Sequence, residues 1–493
     1  MSANLVLALT SLGVAVALGV RGGMGQWAAW PFAILCLWQL HCALASGTQR
    51  STAILRLGGF SWDIFSFCRG WLITGQVGTG KTGAALNTML WQVSQNCPTW
   101  GGVCIDDKGV YWETLSSMLE HLNRTPDLIL LQVRPETAGP DWKPAHRFNF
   151  LDNPHLPYSA KAKIVCDVAA ALGQRTDQSF FRVQAQVQIE FAFKALHCAG
   201  FAVALNTAHE FFASEKLMLD VMERVESRNT AESETLTDHY LNNWLTQPAE
   251  QLGGVKSTIA NYLSYFTDPD IAEVFCPQKS TFDFGEIDRG KIICVSIPQR
   301  YQIERRYLNT LLKLTYYTHA LRRFDKPASE RTHDNLLIFW ADEAQKTVTA
   351  SDDGMSDYNV VDVIREAKAT VVAATQSYSS LIPPMGDERK AKVFIANLAN
   401  RVTFCAADED SAKIAADTLG KRKAKRRVIG YSGGKRTTSE TNEDKYVFEP
   451  HELRKLRKFE AVVHHCDQGF RKTVIPPLGT DGKIPAWYRK SLL

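Results

Sequence analysis

The segment Gly75–Thr82 (GQVGTGKT) carries the clearest chemical signal in this sequence. It fits the pattern G-x-x-x-x-G-K-[ST], in which backbone N–H groups curl around phosphate oxygens. Lys81 is expected to reach the β- and γ-phosphates of ATP, and the Thr82 hydroxyl is expected to ligate Mg²⁺. An apolar strand, Trp71–Thr74, precedes the segment, and Thr82–Val93 follows it with helical spacing. The residues expected to contact the nucleotide are Gly75, Gln76, Val77, Gly78, Thr79, Gly80, Lys81, Thr82 and Gly83.

A pair of carboxylates follows a second apolar run. The mostly bulky residues Leu336–Ala341 predict a central strand of a parallel sheet, and Asp342 and Glu343 come directly after it. Asp342 is expected to hold Mg²⁺ through water, and Glu343 to polarise the attacking water. Because ligands of a doubly wound sheet bind at the carboxyl ends of its strands, we expect this pair to face the glycine-rich segment.

Two further apolar runs end in polar residues that are expected at the same cleft. Thr370–Thr375 is followed by Gln376, which could sense the γ-phosphate or orient water. Gly102–Ile105 is followed by Asp106–Gly109 (DDKG), which is expected at the rim of the cleft. An ordinary solvated turn is the alternative interpretation of that tetrapeptide.

The amino-terminal 49 residues differ in composition from the rest of the chain. They contain one formal charge, Arg21, although charged residues make up 22% of the whole sequence. Two apolar runs, Leu5–Val20 and Trp27–Ser46, approach the ~20 residues needed to cross a bilayer. A cleaved signal peptide fits less well, because no Lys or Arg precedes the first run. We therefore predict a two-helix transmembrane hairpin at residues 1–48, with both ends in the cytoplasm because more arginines follow the second run than lie between the runs.

The overall charge and the cysteines exclude some classes of protein. The net charge is +4, so any nucleic-acid contact must come from a local basic surface. The eleven cysteines form no C-x-x-C pair, which argues against a zinc site and against a disulfide framework.

The sequence contains one local basic run, Lys421–Arg427, in which six of seven residues are basic. Salt-dependent contact with DNA or lipid headgroups is one interpretation, and a solvated hairpin tip is the other.

The order of these motifs resembles that of the type IV secretion coupling proteins, the TraG/TraD-like conjugative ATPases. His146–Leu151 (HRFNFL) is similar to that family's H-R-F-N-P-L segment, with Phe150 in place of proline. Tyr265–Ile271 is similar to the stretch that leads back into the family's motor domain, and Glu449–Val474 to its closing strands. The resemblance extends from about residue 70 to about residue 475 of this sequence.

The resemblance implies an α/β fold, with a RecA-like P-loop motor domain and an inserted all-helical domain after the membrane hairpin. One stretch of the expected insert disagrees with this prediction: Phe181–Phe191 alternates apolar and polar residues as a strand does, although Ala, Gln and Glu favour a helix. We predict a helix there. The implied boundaries are residues 1–48 for the hairpin, 49–156 and 268–480 for the motor domain, 157–267 for the insert and 481–493 for a C-terminal tail.

The resemblance also implies a function and partners. It implies a homohexamer in the bacterial inner membrane, multi-pass, with a cytoplasmic ATPase domain that binds ATP and Mg²⁺. Such a motor receives a relaxase–DNA complex (relaxosome) or protein effectors and passes them to type IV secretion channel subunits. It is expected to contact single- or double-stranded DNA without sequence preference. Two alternatives remain open: a membrane-anchored DNA translocase of the cell-division or chromosome-pumping type, and an ATP-binding receptor or scaffold with slow turnover.

A ring ATPase usually needs an arginine that crosses the subunit border, because charge develops on the γ-phosphate in the transition state. Arg365 and Arg401 are the candidates in this sequence. Either arginine also has an ordinary alternative as a surface or ion-pair residue.

Overall fold

The structure is a computed structural model. The predicted membrane hairpin at residues 1–48 lies outside the described residues, and none of the described helices is long and apolar enough to cross a bilayer. The structure describes residues 53–172, 179–351, 354–432 and 435–490.

The described strands form a two-stranded hairpin, a two-stranded ribbon and a nine-stranded sheet. In chain order the strands are β1 (Leu55–Leu57), β2 (Phe60–Trp62), β3 (Trp71–Thr74), β4 (Gly101–Asp106), β5 (Leu128–Gln132), β6 (Ile292–Ser296), β7 (Leu337–Asp342), β8 (Ala369–Thr375), β9 (Asn400–Thr403), β10 (Lys421–Ser432), β11 (Lys435–Tyr446), β12 (Glu460–His465) and β13 (Gly469–Val474).

The nine-stranded sheet has the order β13-β12-β9-β3-β8-β7-β4-β6-β5. The seven strands from β9 to β5 in this order are parallel, and β12 and β13 extend the sheet antiparallel beside β9. Every residue of β3, β7 and β8 is buried. Strands covered on both faces are mostly apolar, which explains why the four runs predicted from the sequence match β3, β4, β7 and β8 to within a residue.

Helices cover the sheet and fill the long segment between β5 and β6. In chain order the α-helices are α1 (Ile64–Phe67), α2 (Asn87–Asn96), α3 (Tyr111–His121), α4 (Tyr158–Ala171), α5 (Ser179–Ala199), α6 (Leu205–Ala213), α7 (Glu215–Glu226), α8 (Ala231–His239), α9 (Ala249–Leu263), α10 (Pro269–Phe275), α11 (Gln302–Arg322), α12 (Ala328–Arg331), α13 (Asp357–Val360), α14 (Ile382–Met385), α15 (Glu388–Asn397), α16 (Glu409–Leu419), α17 (Pro450–Leu453) and α18 (Ala486–Lys490).

The stretch Phe181–Phe191, where the residue pattern and the expected helix disagreed, lies within α5. Its alternating valines do not share a buried face: Val183 is 57% exposed and Val187 is 39% exposed. The buried positions of α5 instead follow helical spacing, with Ala185 and Ile189 both inside. The strand-like alternation therefore arises because two valines lie on the solvent side of a helix.

Helices α4 to α9 occupy the segment predicted as the helical insert, and they share a hydrophobic core with the sheet and its helices. The Tyr307 hydroxyl on α11 donates a hydrogen bond of 3.2 Å to the carbonyl oxygen of Val165 on α4. Lys161 on α4 donates a 2.7 Å hydrogen bond to the carbonyl oxygen of Leu151. The insert is thus anchored on both sides to the segments that precede and follow it, and the domain boundaries themselves remain a prediction.

Candidate functional site

The phosphate loop (Gly75–Thr82) leaves the carboxyl end of β3 and enters a π-helical turn, Lys81–Leu86, that leads into α2. Gly75 has φ 155°, and a side chain there would place its Cβ 2.6 Å from Cβ of Phe404. Gly78 has φ 78°, and a Cβ there would meet no atom within 4 Å. The loop therefore needs its glycines for backbone conformation, as a loop whose N–H groups curl around phosphate oxygens does.

Lys81 is buried, 7% exposed, and its ammonium points back into the loop. The ammonium donates to the carbonyl oxygens of Gly75 at 2.6 Å and Gln76 at 3.2 Å. Burial lowers the pKa of Lys81 below its ordinary value, and the negative charges of Glu343 and Asp342 act in the opposite direction. The loop carbonyls thus accept the hydrogen bonds from Lys81 that phosphate oxygens would accept in a bound nucleotide. This arrangement fits the loop to a triphosphate.

Thr82 and Asp342 meet across the cleft. The Thr82 hydroxyl donates a hydrogen bond of 2.8 Å to the carboxylate of Asp342, although the two residues lie 260 positions apart. Asp342 ends β7, which is separated from β3 by β8 alone. A hydroxyl and a carboxylate at this distance are oxygen donors of the kind that Mg²⁺ prefers, so the pair fits a nucleotide-bound magnesium ion.

Glu343 adopts a left-handed backbone conformation, with φ 57° and ψ 47°. This conformation is uncommon for a residue with a side chain, and it turns the chain sharply at the end of β7. The side-chain amide of Gln376, which follows β8, donates to the two Glu343 carboxylate oxygens at 3.3 and 3.4 Å. The structure therefore brings together the three side chains expected from the sequence at the strand ends: Asp342, Glu343 and Gln376.

Sequence reasoning missed one residue of this cluster, Gln345. Its side-chain amide donates a 2.6 Å hydrogen bond to the Glu343 carboxylate. Its carbonyl oxygen accepts a 2.8 Å hydrogen bond from Thr375 at the end of β8. The Thr375 hydroxyl in turn lies 2.7 Å from that of Ser380. A polar residue two positions after the carboxylate pair was the available signal, and it becomes meaningful only once the left-handed turn at Glu343 is known.

The segment Asp106–Gly109 turns at the carboxyl end of β4, as expected for the rim of the cleft. Asp107 lies 3.6 Å from the guanidinium of Arg305, which is buried on α11. Lys108, the next residue, is exposed, and its positive charge acts with burial to lower the pKa of Lys81. The turn is therefore part of the electrostatic environment of the loop.

The two candidate arginines differ in their surroundings. Arg401 is buried on β9, and its guanidinium donates to the carbonyl oxygens of Leu398 and Ile395 and to the Thr418 hydroxyl, at 3.2, 2.8 and 2.6 Å. All three contacts hold the sheet to its neighbouring segments, which favours the ordinary structural alternative for Arg401 over a role at a subunit border. Arg365 is exposed in the 3-10 turn Ile364–Ala367 and remains a candidate.

The basic run Lys421–Arg427 lies in β10, which pairs with β11 in a ribbon separate from the main sheet. The run is not an isolated positive surface, because acidic residues of β11 stand opposite it in the register. Lys423 pairs with Asp444, and the Lys425 ammonium lies 3.6 Å from the Glu440 carboxylate. The ribbon therefore carries charges of both signs, with a row of exposed basic side chains at the start of its β10 strand.

Known proteins resemble this chain at two levels, a family model and solved structures. The family model described as the TraM recognition site of TraD and TraG matches residues 337–458. The unbound monoclinic form of the bacterial conjugative coupling protein TrwBdeltaN70 has a TM-score of 0.62 at 15% identity, over 90% of this chain and 92% of that one. The plasmid coupling protein TrwB in complex with ADP and Mg²⁺ has a TM-score of 0.58 at 14% identity, over 87% of this chain and 90% of that one. A comparison with curated protein sequences gives no match.

At these identities the solved structures show a shared fold. The mixed α/β architecture with its large, mainly parallel sheet is that of the TrwB structures over most of the chain. The family model and the shared fold together confirm the resemblance, predicted from the motifs, to the TraG/TraD-like type IV coupling proteins.

Proposed function

We propose that this protein is an ATP-hydrolysing coupling protein of the bacterial inner membrane, which passes a relaxosome or a protein substrate to a type IV secretion channel. The hydrogen bond of 2.8 Å between Thr82 and Asp342 carries the ATPase part of the proposal. It joins the phosphate loop to the carboxylate strand in the arrangement that P-loop motors use to hold nucleotide with Mg²⁺. The solved TrwB structures with ADP and Mg²⁺ and with an ATP analogue support the same assignment.

In this proposal each side chain of the cleft has one task. Lys81 releases the loop carbonyls and donates to the β- and γ-phosphates, while Thr82 and Asp342 hold Mg²⁺, which supplies positive charge to the phosphates when bound. Glu343 accepts a proton from the attacking water, and Gln376 fixes the position of the Glu343 carboxylate. Catalysis of this kind depends on positioning and on charge, so the clustering of these groups at the strand ends is its main requirement.

The proposed partners follow from the comparisons and from the sequence. The match to a TraM recognition site and the conjugative TrwB structures support a relaxosome protein as a partner. We propose a homohexamer with a cytoplasmic motor domain at residues 49–156 and 268–480, a helical insert at 157–267 and a two-span anchor at 1–48. DNA contact in this arrangement is independent of sequence, because it is made to the phosphate backbone.

Replacement of Lys81 by alanine tests the ATPase proposal. We expect Lys81→Ala to abolish ATP turnover by the full-length protein in membranes or detergent, with its membrane association unchanged. Lys392→Ala is a matched control, because Lys392 is an exposed lysine whose ammonium lies 2.8 Å from the Glu388 carboxylate on α15. Turnover by Lys81→Ala equal to that of the control would remove the motor proposal.

A receptor with slow turnover is the second candidate, and one observation favours it. The Glu343 carboxylate accepts hydrogen bonds from the amides of both Gln345 and Gln376. Hydrogen bonds from two amides occupy acceptor positions of the carboxylate that an attacking water would otherwise use. Single-turnover and steady-state rates of ATP hydrolysis, measured with and without DNA, separate a slow receptor from a motor that DNA activates.

A further inference from the structure

The segment that follows β13 folds back onto the helix of the phosphate loop. The backbone N–H of Leu478 donates a 2.9 Å hydrogen bond to the carbonyl oxygen of Gly83. Further along, Gly482 packs so closely on Trp91 of α2 that a Cβ there would lie 2.2 Å from the indole ring. The C-terminal segment is therefore attached to the residues that directly follow Lys81, at the place where the phosphate loop becomes helical.

Phe459 makes a second connection to the loop. Its backbone N–H donates a 2.9 Å hydrogen bond to the carbonyl oxygen of Thr79. A Cβ placed on Gly80 would lie 2.8 Å from the Phe459 ring, so the ring lies directly against the loop backbone. Tyr488 packs edge-on against this ring, with the two ring centroids 5.2 Å apart. An aromatic cluster thus extends from the loop to the C-terminal segment.

Trp487 is the outermost member of this cluster and is 56% exposed. Its ring centroid lies 6.1 Å from that of Phe459 and 5.9 Å from that of Tyr488, so neighbouring rings fix the position of the indole. The Lys458 ammonium lies 5.7 Å from the centroid of the indole ring. A tryptophan held by its neighbours, yet with more than half of its surface open, is a typical stacking platform for a flat ligand.

The orientation of a nucleotide in a phosphate loop predicts which part of it lies nearest to Trp487. In a phosphate loop the lysine contacts the β- and γ-phosphates, and the backbone of the loop and the start of its helix hold the α- and β-phosphates. The sugar and base are attached to the α-phosphate, so they leave the loop near its helical end, around Gly83. A Cβ on Gly83 would meet no atom within 4 Å, which leaves room there. The C-terminal segment contacts this same residue.

We propose that Trp487 stacks on the base of the nucleotide whose phosphates are held by the phosphate loop, and that residues 475–490 form one wall of the nucleoside site. The inference rests on the proposed ATPase function and adds the base-binding part of that site. Stacking on an indole face reads no hydrogen-bonding edge of the base, so the site prefers purines over pyrimidines through their larger ring area without distinguishing ATP from GTP strongly.

Binding to the full-length protein, measured with ATP, CTP and inorganic tripolyphosphate, tests the proposal. Tripolyphosphate has the phosphates of ATP but no base. We expect Trp487→Ala to weaken ATP binding about tenfold, to leave tripolyphosphate binding unchanged and to abolish the preference for ATP over CTP. Trp487→Phe should retain most of the affinity for ATP, because it keeps an aromatic face. Leu241→Ala changes an exposed apolar residue of the insert and serves as the control.

The other outcomes would each overturn the proposal. Equal weakening of ATP and tripolyphosphate binding by Trp487→Ala would show that the C-terminal segment only supports the loop. Unchanged ATP binding with weaker binding of a single-stranded oligonucleotide would assign Trp487 to nucleic acid instead. If the unsubstituted protein bound neither ATP nor tripolyphosphate, the ATPase proposal would fail together with this one, whereas tripolyphosphate binding without any base effect would leave the ATPase proposal intact.

Discussion

The side-chain amide of Gln345 donates a 2.6 Å hydrogen bond to the carboxylate of Glu343. The same amide group accepts a hydrogen bond from Thr375 through its oxygen, so its orientation is fixed from both sides. Gln345 therefore connects the proposed general base at the end of β7 to the end of the neighbouring strand β8. Gln345 and Gln376 therefore both hold the Glu343 carboxylate in place.

We predict that Gln345→Leu lowers kcat for ATP hydrolysis about tenfold and changes KM for ATP little, because the substitution loosens Glu343 without touching the phosphate loop. A tenfold loss corresponds to about 1.4 kcal/mol of transition-state stabilisation. Steady-state kinetics of the full-length protein measure both constants. A rise in kcat would contradict the prediction and would show that the amide restrains the carboxylate from reacting.

We predict that Thr82→Val raises the Mg²⁺ concentration needed for half-maximal ATP turnover, since valine keeps the shape of threonine but lacks the hydroxyl that bonds to Asp342. Nucleotide binding in the absence of Mg²⁺ should remain close to that of the unsubstituted protein, which provides an internal control. An unchanged Mg²⁺ requirement would argue against the assignment of Thr82 as a metal ligand.

We predict a large stability effect at the buried ion pair of Lys313 and Asp357, whose side chains are 1% and 2% exposed. Asp357 also accepts a 2.7 Å hydrogen bond from the backbone N–H of Thr349, in the segment that follows Glu343. Lys313→Met leaves the carboxylate buried without its counter-charge, and the expected loss is about 3–5 kcal/mol of unfolding free energy.

The double variant Lys313→Met/Asp357→Asn should recover much of that loss, because neither charge then remains buried. Lys392→Met is the matched control, since its ion pair with Glu388 is exposed and should contribute less than about 1 kcal/mol. Thermal or denaturant unfolding of the full chain measures these differences. A single variant as stable as the control would contradict the prediction.

A pH dependence is predicted from Lys161, which is buried on α4. Burial lowers the pKa of this lysine from 10.5 to about 8, while the charge of Asp152 acts weakly in the opposite direction. Between these two values the unfolded chain binds the proton and the folded chain does not. The contribution of Lys161 to the unfolding free energy therefore rises with pH across this window. Unfolding measured near pH 7 and near pH 10 should show a smaller rise for Lys161→Met, and an equal rise would contradict the pKa assignment.

A salt dependence is predicted for the ribbon of β10 and β11. Replacing its exposed basic residues by glutamine should weaken DNA binding and reduce the slope of log affinity against log salt by about 0.9 for each duplex phosphate that the variant no longer neutralises. Lys326→Gln changes an exposed lysine outside the ribbon and should leave the slope unaltered. An unchanged slope in the ribbon variant would assign its charges to solubility. The residues to replace are Lys421, Arg422, Lys423 and Lys425.

The sheet strands at the cleft could be predicted from the sequence because they are buried on both faces. Each run had to be mostly apolar, and each was followed by a glycine or a polar residue at the carboxyl edge. Asp342 and Gln376 could accordingly be placed near the phosphate loop from the residue pattern alone. Their roles in hydrolysis remain predictions, since proximity does not measure a rate.

Other contacts had no signal in the sequence. Gln345 reaches Glu343 through a left-handed backbone turn that a glutamate seldom adopts, and no residue pattern predicts that turn. Leu478 meets Gly83 through one backbone hydrogen bond between distant segments, which leaves no periodic trace. The burial of Arg401 was equally hidden, because an arginine in a short strand next to the cleft has the same appearance in sequence whether it points inward or outward.

The topology of the sheet also determines when the phosphate loop can form during synthesis. The strand β3 that carries the loop is hydrogen-bonded to β8 and β9, which lie more than half of the chain later. A nascent chain leaves the ribosome with its amino terminus first, and pairing between such distant strands forms slowly. We therefore expect the loop to lack the strands on both of its sides until β9 has left the ribosome, so that nucleotide assists only the last stages of folding and a chain that ends before β8 binds nucleotide weakly.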